Sequence, residues 1–200
     1  MSSQEDMSLD QPSADRPTRV LRDEHQLILR VLAVLKHLVE RARQGEEFQT
    51  AAFGQCVEFF HLFADACHHA KEEDLLFPVL ESCGMARDGG PIGVMLHEHG
   101  IARELTRQMG SALESVANGD ATGSAAFCTI AEHYISLLTQ HIYKEDNFLF
   151  AMGDLVMREA DQQHLCAQFC EMGCRSFGGK RREELTQLAD ALAAEWADDR

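Results

Sequence analysis

The stretch HHAKEEDLLFP at residues 68–78 returns, in register and without gaps, as HIYKEDNFLF at residues 141–150. His68 falls over His141, Lys71 over Lys144, Glu72 over Glu145, Leu76 over Leu149 and Phe77 over Phe150. The duplication extends upstream, where Glu24-His25 has its counterpart in Glu98-His99. The separations match as well. His25 to His68 is 43 residues and His99 to His141 is 42, while Glu24 to Glu72 is 48 and Glu98 to Glu145 is 47. Each half therefore carries a histidine on one helix and His-x-x-x-Glu on the next. Two helical hairpins with short connections make an antiparallel, up-down four-helix bundle, an architecture whose core accepts metal ligands projecting inward from facing helices.

Apolar spacing of three and four supports this all-α reading. Leu27, Val31, Val34, Leu35 and Leu38 mark a first helix from Thr18 to a break near Gly45. A second fits roughly 50–82, turning Phe53, Val57, Phe60 and Ala64 to the core, with Pro78 expected to kink or end its last part. The third starts at Pro91, a good first-turn residue, and runs to about Asn118-Gly119; the fourth fits roughly 124–152. Two shorter helices, about 155–176 and 180–197, complete the chain around Gly178-Gly179. Residues 1–17 are polar, contain proline and lack periodicity, which predicts a disordered tail. The expected organisation is thus a tail (1–17), a bundle (18–155) and a C-terminal helical extension (156–200).

A net charge of −15 argues against nucleic acid or an anionic membrane as partner, since either needs a basic surface. No uninterrupted apolar stretch approaches membrane-spanning length, and no secretory signal is visible. The seven cysteines are odd in number and their spacing does not resemble a disulfide framework, so reduced thiols and a cytoplasmic address are expected. Cys166, Cys170 and Cys174 form one helical stripe. Phe169, Gly173 and Phe177 share that face at core spacing, which favours small buried hydrophobes over the alternative, a redox or soft-metal role.

On an α-helix, positions i and i+4 differ by about 40° in direction and about 6 Å in height. His68 and Glu72 can thus reach one point beside their helix, and so can His141 and Glu145. Imidazole nitrogens with carboxylates and no thiolate suit iron, manganese or zinc. His25, His68, Glu72, His99, His141 and Glu145 make six ligands, which fits two metals bridged by the carboxylates and a solvent-derived oxygen. Uncompensated burial of two carboxylates would cost several kcal/mol, which a metal pair offsets. His69 and Glu73 form a rival pair shifted by one residue; the register with His141 and Glu145 favours 68 and 72. Glu73 and Asp146 are then behind the ligands or in solvent. Glu24 and Glu98 either hydrogen-bond imidazole N–H groups or are simply exposed.

The pattern H, HxxxE, H, HxxxE, carried by His25, His68-Glu72, His99 and His141-Glu145, resembles the hemerythrin-like family, also called the HHE cation-binding domain. Local wording agrees: DEH at 23–25, HHAKEEDLLFP at 68–78, EH at 98–99 and HIYKEDNFLF at 141–150. The resemblance covers roughly residues 18–155. It implies a four-helix bundle with a non-heme centre of two iron ions, oxo- or hydroxo-bridged, that binds dioxygen or sometimes nitric oxide. Ferritin-like bundles differ in using Glu-x-x-His, with Glu first and spacing three. One departure stands out. Oxygen-carrying hemerythrins place two histidines four residues apart on the third helix, and here Met95 and Arg103 occupy the positions four from His99. His97 is about 200° around the helix from His99, a poor co-ligand. The fifth imidazole is therefore expected to be missing or supplied otherwise, with His61 and Tyr134, one heptad before His68 and His141, able to approach. A more open site would weaken transport and strengthen sensing or peroxide chemistry. The expected function is a diiron protein binding oxygen or nitric oxide for sensing, storage or delivery; the alternative is an enzyme that decomposes peroxide or reduces nitric oxide.

Overall fold

The computed structural model describes residues 16–120 and 122–196. The tail expected over residues 1–17 lies outside them save for its last two positions, and Pro17 already opens the first helix. That helix, α1 (Pro17–Arg43), starts on a proline, whose missing N–H costs nothing in a first turn. The next, α2, is continuous over residues 50–82 but changes pitch. Thr50–Phe59 is α-helical, Phe60–His69 and Glu72–Leu76 are π-helical, and Phe77–Ser82 is α-helical again. Pro78 neither ends nor breaks the rod. It sits in the first turn after a π-helical segment, where the bonding pattern resets and its absent donor is not missed.

Helix α3 (Pro91–Ala117) again opens on proline. Helix α4 covers residues 123–156, with a π-helical segment at Glu145–Leu149 between α-helical Gly123–Lys144 and Phe150–Val156. Met157 and Arg158 are extended and break the chain direction before α5 (Glu159–Gly173). The last helix is α6 (Arg182–Glu195). Between α5 and α6 lies a hairpin that periodicity did not announce. Strands β1 (Ser176–Phe177) and β2 (Lys180–Arg181) pair antiparallel with Phe177 opposite Lys180. Gly178 and Gly179 have φ of 54° and 85°, the two left-handed residues that a tight hairpin turn requires. The last two helices are consequently shorter than 155–176 and 180–197.

Helix α1 packs on α2 and α4, and α3 packs on α2 and α4, closing the four-helix bundle. Helices α5 and α6 lie against α1 and α2. The buried apolar residues fall into two clusters. The larger runs along Leu27–Val39 and gathers Phe53, Phe59, Phe63, Phe127 and Leu138. The smaller contains Leu21, Leu76, Phe77, Met95, Leu149 and Phe150. On every bundle helix a buried polar group separates the two: His25 on α1, His68 to Glu72 on α2, His99 on α3, and His141 with Glu145 on α4. The bundle is two apolar blocks with a polar stratum between them.

The larger block is closed at its far end by aromatic rings. Phe53, fully buried, has ring centroids 4.5 Å from Phe48 and 4.6 Å from Phe127. Phe53→Ala is expected to lower the unfolding free energy by about 3–5 kcal/mol in denaturant titrations, through lost burial plus the cavity left behind. Metal content per folded chain should not change, because the substitution is confined to one block.

Candidate metal centre

The six side chains singled out by the repeat meet in the polar stratum. His25 comes from α1, His68 and Glu72 from α2, His99 from α3, and His141 and Glu145 from α4; none is more than 1% exposed. The Glu145 Oε2 oxygen lies 3.2 Å from His25 Nε2 and 3.2 Å from His141 Nε2. Glu72 reaches His68 Nε2 at 3.6 Å with one oxygen and His99 Nε2 at 3.4 Å with the other. Facing nitrogens His99 Nε2 and His141 Nε2 are 3.1 Å apart.

A seventh residue joins them. His69 is 2% exposed and stacks on His99 with ring centroids 3.9 Å apart. The potential ligand atoms sort into two groups, His69, Glu72, His99 and His141, and His25, His68, Glu72 and Glu145. Within each group they lie within 4.8 Å of one another, and Glu72 belongs to both. The second helix thus brings a fifth imidazole to the stratum, that of the histidine read as half of a rival pair. Adjacent residues on an α-helix diverge by about 100°, which argues against His68 and His69 serving one site. The π-helical stretch Phe60–His69 bonds i to i+5 and so turns less per residue, bringing both inward. Of the other residues considered, His97 and His61 are exposed and Tyr134 is buried; none belongs to either group.

Behind the inner atoms stands a second layer of carboxylates. Each of four imidazoles donates its Nδ1–H to a carboxylate: His68 to Glu24 at 3.1 Å, His141 to Glu98 at 3.0 Å, His25 to Asp146 at 2.9 Å and His99 to Glu73 at 2.7 Å. Lys71 donates to Glu24 and Lys144 to Glu98, repeating the duplication. Glu24 and Glu98 are thus on the imidazoles rather than in solvent, and Glu73 and Asp146 support His99 and His25. Such partners fix which nitrogen points inward and raise ligand basicity.

The chemistry of this set fits a cation. Both oxygens of Glu72, both of Glu145, and the Nε2 atoms of His25 and His68 are buried without a hydrogen-bond partner. Orphaned polar atoms in such density are costly unless something binds them. Burial and the nearby Glu145 charge push the Glu72 carboxyl well above its ordinary range. Burial would raise Glu145 too, but His141 and His25 outweigh it and hold its carboxyl well down. Burial opposes charge on His141, yet Glu145 and Glu98 lift its imidazole to about 9. Both shifts reflect anionic charge buried in this stratum without a counter-cation.

A cavity of about 560 Å³ ends on this stratum. His69, Asp65, Arg103, Thr106, Phe60 and Tyr134 are among its walls, with His61 at its exposed side. His69 Nδ1 has no hydrogen bond; its carboxylate neighbour Asp65 stands off at 3.7 Å. Asp65 is instead held at 2.6 Å by Arg103, which also grips Glu73 at 2.8 Å.

The profile of the hemerythrin HHE cation-binding domain matches residues 16–153. The chain belongs to this family. Among curated proteins, the hemerythrin-domain chain is 33% identical over 133 residues to "Iron-sulfur cluster repair protein YtfE" of Musicola paradisiaca, covering 64% of this chain and 58% of that one. It is 32% identical over 136 residues to the protein of the same name from Edwardsiella ictaluri, covering 66% and 61%. An uncharacterized Mycobacterium tuberculosis protein is 23% identical over 158 residues, covering 79% and 61%. The chain thus spans about three-fifths of the length of these relatives. No solved structure matches it. No helix among the described residues is long and apolar enough to cross a membrane.

The electrostatics give a test of opposite signs. A carboxyl whose folded pKa is raised contributes stability below its unfolded value and loses it as pH rises through the folded one. In metal-free protein, Glu72→Gln should therefore raise the melting temperature at alkaline pH, and the gain should shrink as pH falls from the raised Glu72 value and vanish below the ordinary carboxyl range. In metal-loaded protein the same variant should melt lower than the parent. Calorimetry of both forms across pH checks this; a metal-free variant less stable at every pH refutes the account.

Proposed function

We propose that the chain is a non-heme diiron protein that binds dioxygen or nitric oxide reversibly, for sensing, storage or delivery. The observation that carries this is the pair of four-residue groups sharing Glu72. One iron would be held by His25, His68, Glu72 and Glu145, the other by His69, His99, His141 and Glu72. Glu145 Oε1 lies 4.0 Å from His99 Nε2, so this carboxylate would also face the second iron. Imidazole and carboxylate donors without sulfur suit iron. When bound, the metals supply a redox-active pair with room for an exogenous ligand.

The protein's own groups do the rest. The Nδ1 carboxylates orient the imidazoles. The apolar blocks above and below exclude bulk water. The cavity ending on His69 offers a small molecule a way in along apolar walls at Phe60, Val57 and Ala102. That cavity reaches the centre beside the one imidazole whose Nδ1 is not gripped by a carboxylate, which makes the His69 side the natural place for a ligand to arrive.

The likeness to YtfE supports a second reading, in which the same irons serve repair of iron–sulfur clusters. A peroxide-decomposing or nitric-oxide-reducing enzyme is the weaker reading, because a missing fifth imidazole would motivate it and His69 lies beside His99 in the stratum.

Anaerobic loading with ferrous iron should give two irons per chain, and admission of air should produce a visible absorption that reverses under argon. His69→Ala should reduce iron toward one per chain and abolish the reversible change. Colourless protein that retains only zinc would defeat the diiron reading. Iron that passes to a cluster-free acceptor protein, with no reversible gas response, would decide for repair.

A further inference from the structure

Helix α6 lies beyond the residues that match the family profile, which end at 153, yet it reaches the metal centre. Leu185, Ala189 and Leu192 are buried in the larger apolar cluster and fix its inner face. Arg182 stands three residues before Leu185, on the same side of the helix. The hairpin leading into α6 is held on α2 at two points. Lys180 donates to Glu58 at 2.6 Å, and Gly178 sits so close to Leu62 that a Cβ there would lie 2.6 Å from Leu62 Cδ2. Seated in this way, Arg182 brings its Nε to 3.4 Å from Glu24 Oε1. The other oxygen of Glu24 takes the Nδ1–H of His68 at 3.1 Å. A residue of the C-terminal extension is thus one carboxylate away from a side chain of the centre.

Glu24 is the exception among the four carboxylates behind the imidazoles. Among the described residues, the lysine or arginine partner of Glu98 is Lys144, that of Glu73 is Arg103 and that of Asp146 is Arg22. Glu24 is met by both Lys71 and Arg182, so one negative charge faces two positive ones. Neither Glu24 nor Lys71 is more than 1% exposed, and water does little to relieve the imbalance at that depth. Arg182 keeps 39% of its side chain in solvent, beside a cavity of about 320 Å³, which limits its influence without removing it. Cys170 and Cys174, expected to pack in the core, stand exposed on the wall of that cavity.

A carboxylate that accepts from an imidazole makes the opposite ring nitrogen a stronger donor to a cation. A second positive group on the same carboxylate competes for that charge. We propose that Arg182 is a positioning residue of the metal centre, which holds the charge of Glu24 away from His68 and so loosens the grip of that imidazole on a cation. The counterpart behind His141 has no such third partner, so the C-terminal extension makes the duplicated halves chemically unequal. The consequence for iron rests on the diiron reading: the extra positive charge favours the ferrous over the ferric ion at the position backed by His68, and raises its reduction potential.

The test is a titration of the full, metal-free chain with cobalt(II) against a competing chelator, followed by the cobalt absorption bands. Arg182→Gln removes the charge and keeps a polar side chain. It should tighten one binding step on the order of tenfold and leave any other step unmoved. Arg182→Lys, whose ammonium falls near the place of the guanidinium carbon, should restore the parent affinity. A residue that only braced the fold would act with the opposite sign, its loss weakening the binding. Unchanged or weaker binding in Arg182→Gln, or tightening that Arg182→Lys does not reverse, overturns the proposal. Ferric and ferrous ions differ by one charge, whereas cobalt(II) brings two. In iron-loaded protein one potential should therefore fall by roughly 30 mV in Arg182→Gln, half the value for a tenfold change in a one-electron couple. A cobalt step shifted in a chain that takes up no iron keeps this inference and defeats the diiron reading; two irons bound with unmoved cobalt steps do the reverse.

Discussion

Two buried carboxyl groups, Glu72 and Glu145, face each other at the centre of this bundle. Left as a pair of anions they would repel in a medium of low dielectric, and burying either one unpaired is itself costly. The rest of the stratum answers this. Five imidazoles converge on the carboxylates, four of them backed by further carboxylates, and two of those are in turn met by Lys71 and Lys144. Charge alternates outward from the centre in shells. The apolar blocks on either side keep that alternation dry, which strengthens every attraction in it and penalises any member left unmatched.

The shells repeat because the chain repeats. Glu24, His68 and Lys71 form the same arrangement as Glu98, His141 and Lys144, and His25 with Asp146 mirrors His99 with Glu73. A histidine whose Nδ1 is taken by a carboxylate has only Nε2 to offer the interior. The outer acids therefore select the inner donor atoms, and do so by the same rule in both halves. His69 stands outside this symmetry, with no counterpart in the register of the repeat, where Ile142 lies opposite it. It is also the residue on which the larger cavity ends.

Much of this could be read from spacing. The matched separations of His25, His68, His99 and His141 gave the bundle and brought the six polar side chains together, because helical hairpins of equal length place equivalent positions at equal height. The helix start at Pro91 followed from the chemistry of a first turn, whereas Pro17, assigned to the tail, opens the first helix one residue before the expected Thr18. His69 entered only as half of a rival pair, since the register of the repeat selects one histidine of the doublet, and the helix widens where these side chains lie. The HH doublet was a usable sign: two adjacent histidines followed by two adjacent glutamates hint at a helix whose faces are less separated than usual. The short hairpin at Phe177 and Lys180 carries too few residues for any alternation to show. Cys170 is exposed although Phe169 beside it is in the core, since one residue of rotation separates the two faces.

The duplicated halves do not see the same surroundings. Helices α5 and α6 cover the Glu24–Lys71 pair, leaving Lys71 1% exposed, whereas the Lys144 side chain keeps 35% of its surface in solvent. An ion pair screened from water holds its geometry more firmly than one that water can invade. The position backed by His68 and Glu24 is therefore the stiffer of the two, and the one behind His141 and Glu98 the more compliant. Two metals bound here would differ in the order in which they enter and leave, although their ligands descend from the same duplicated pattern.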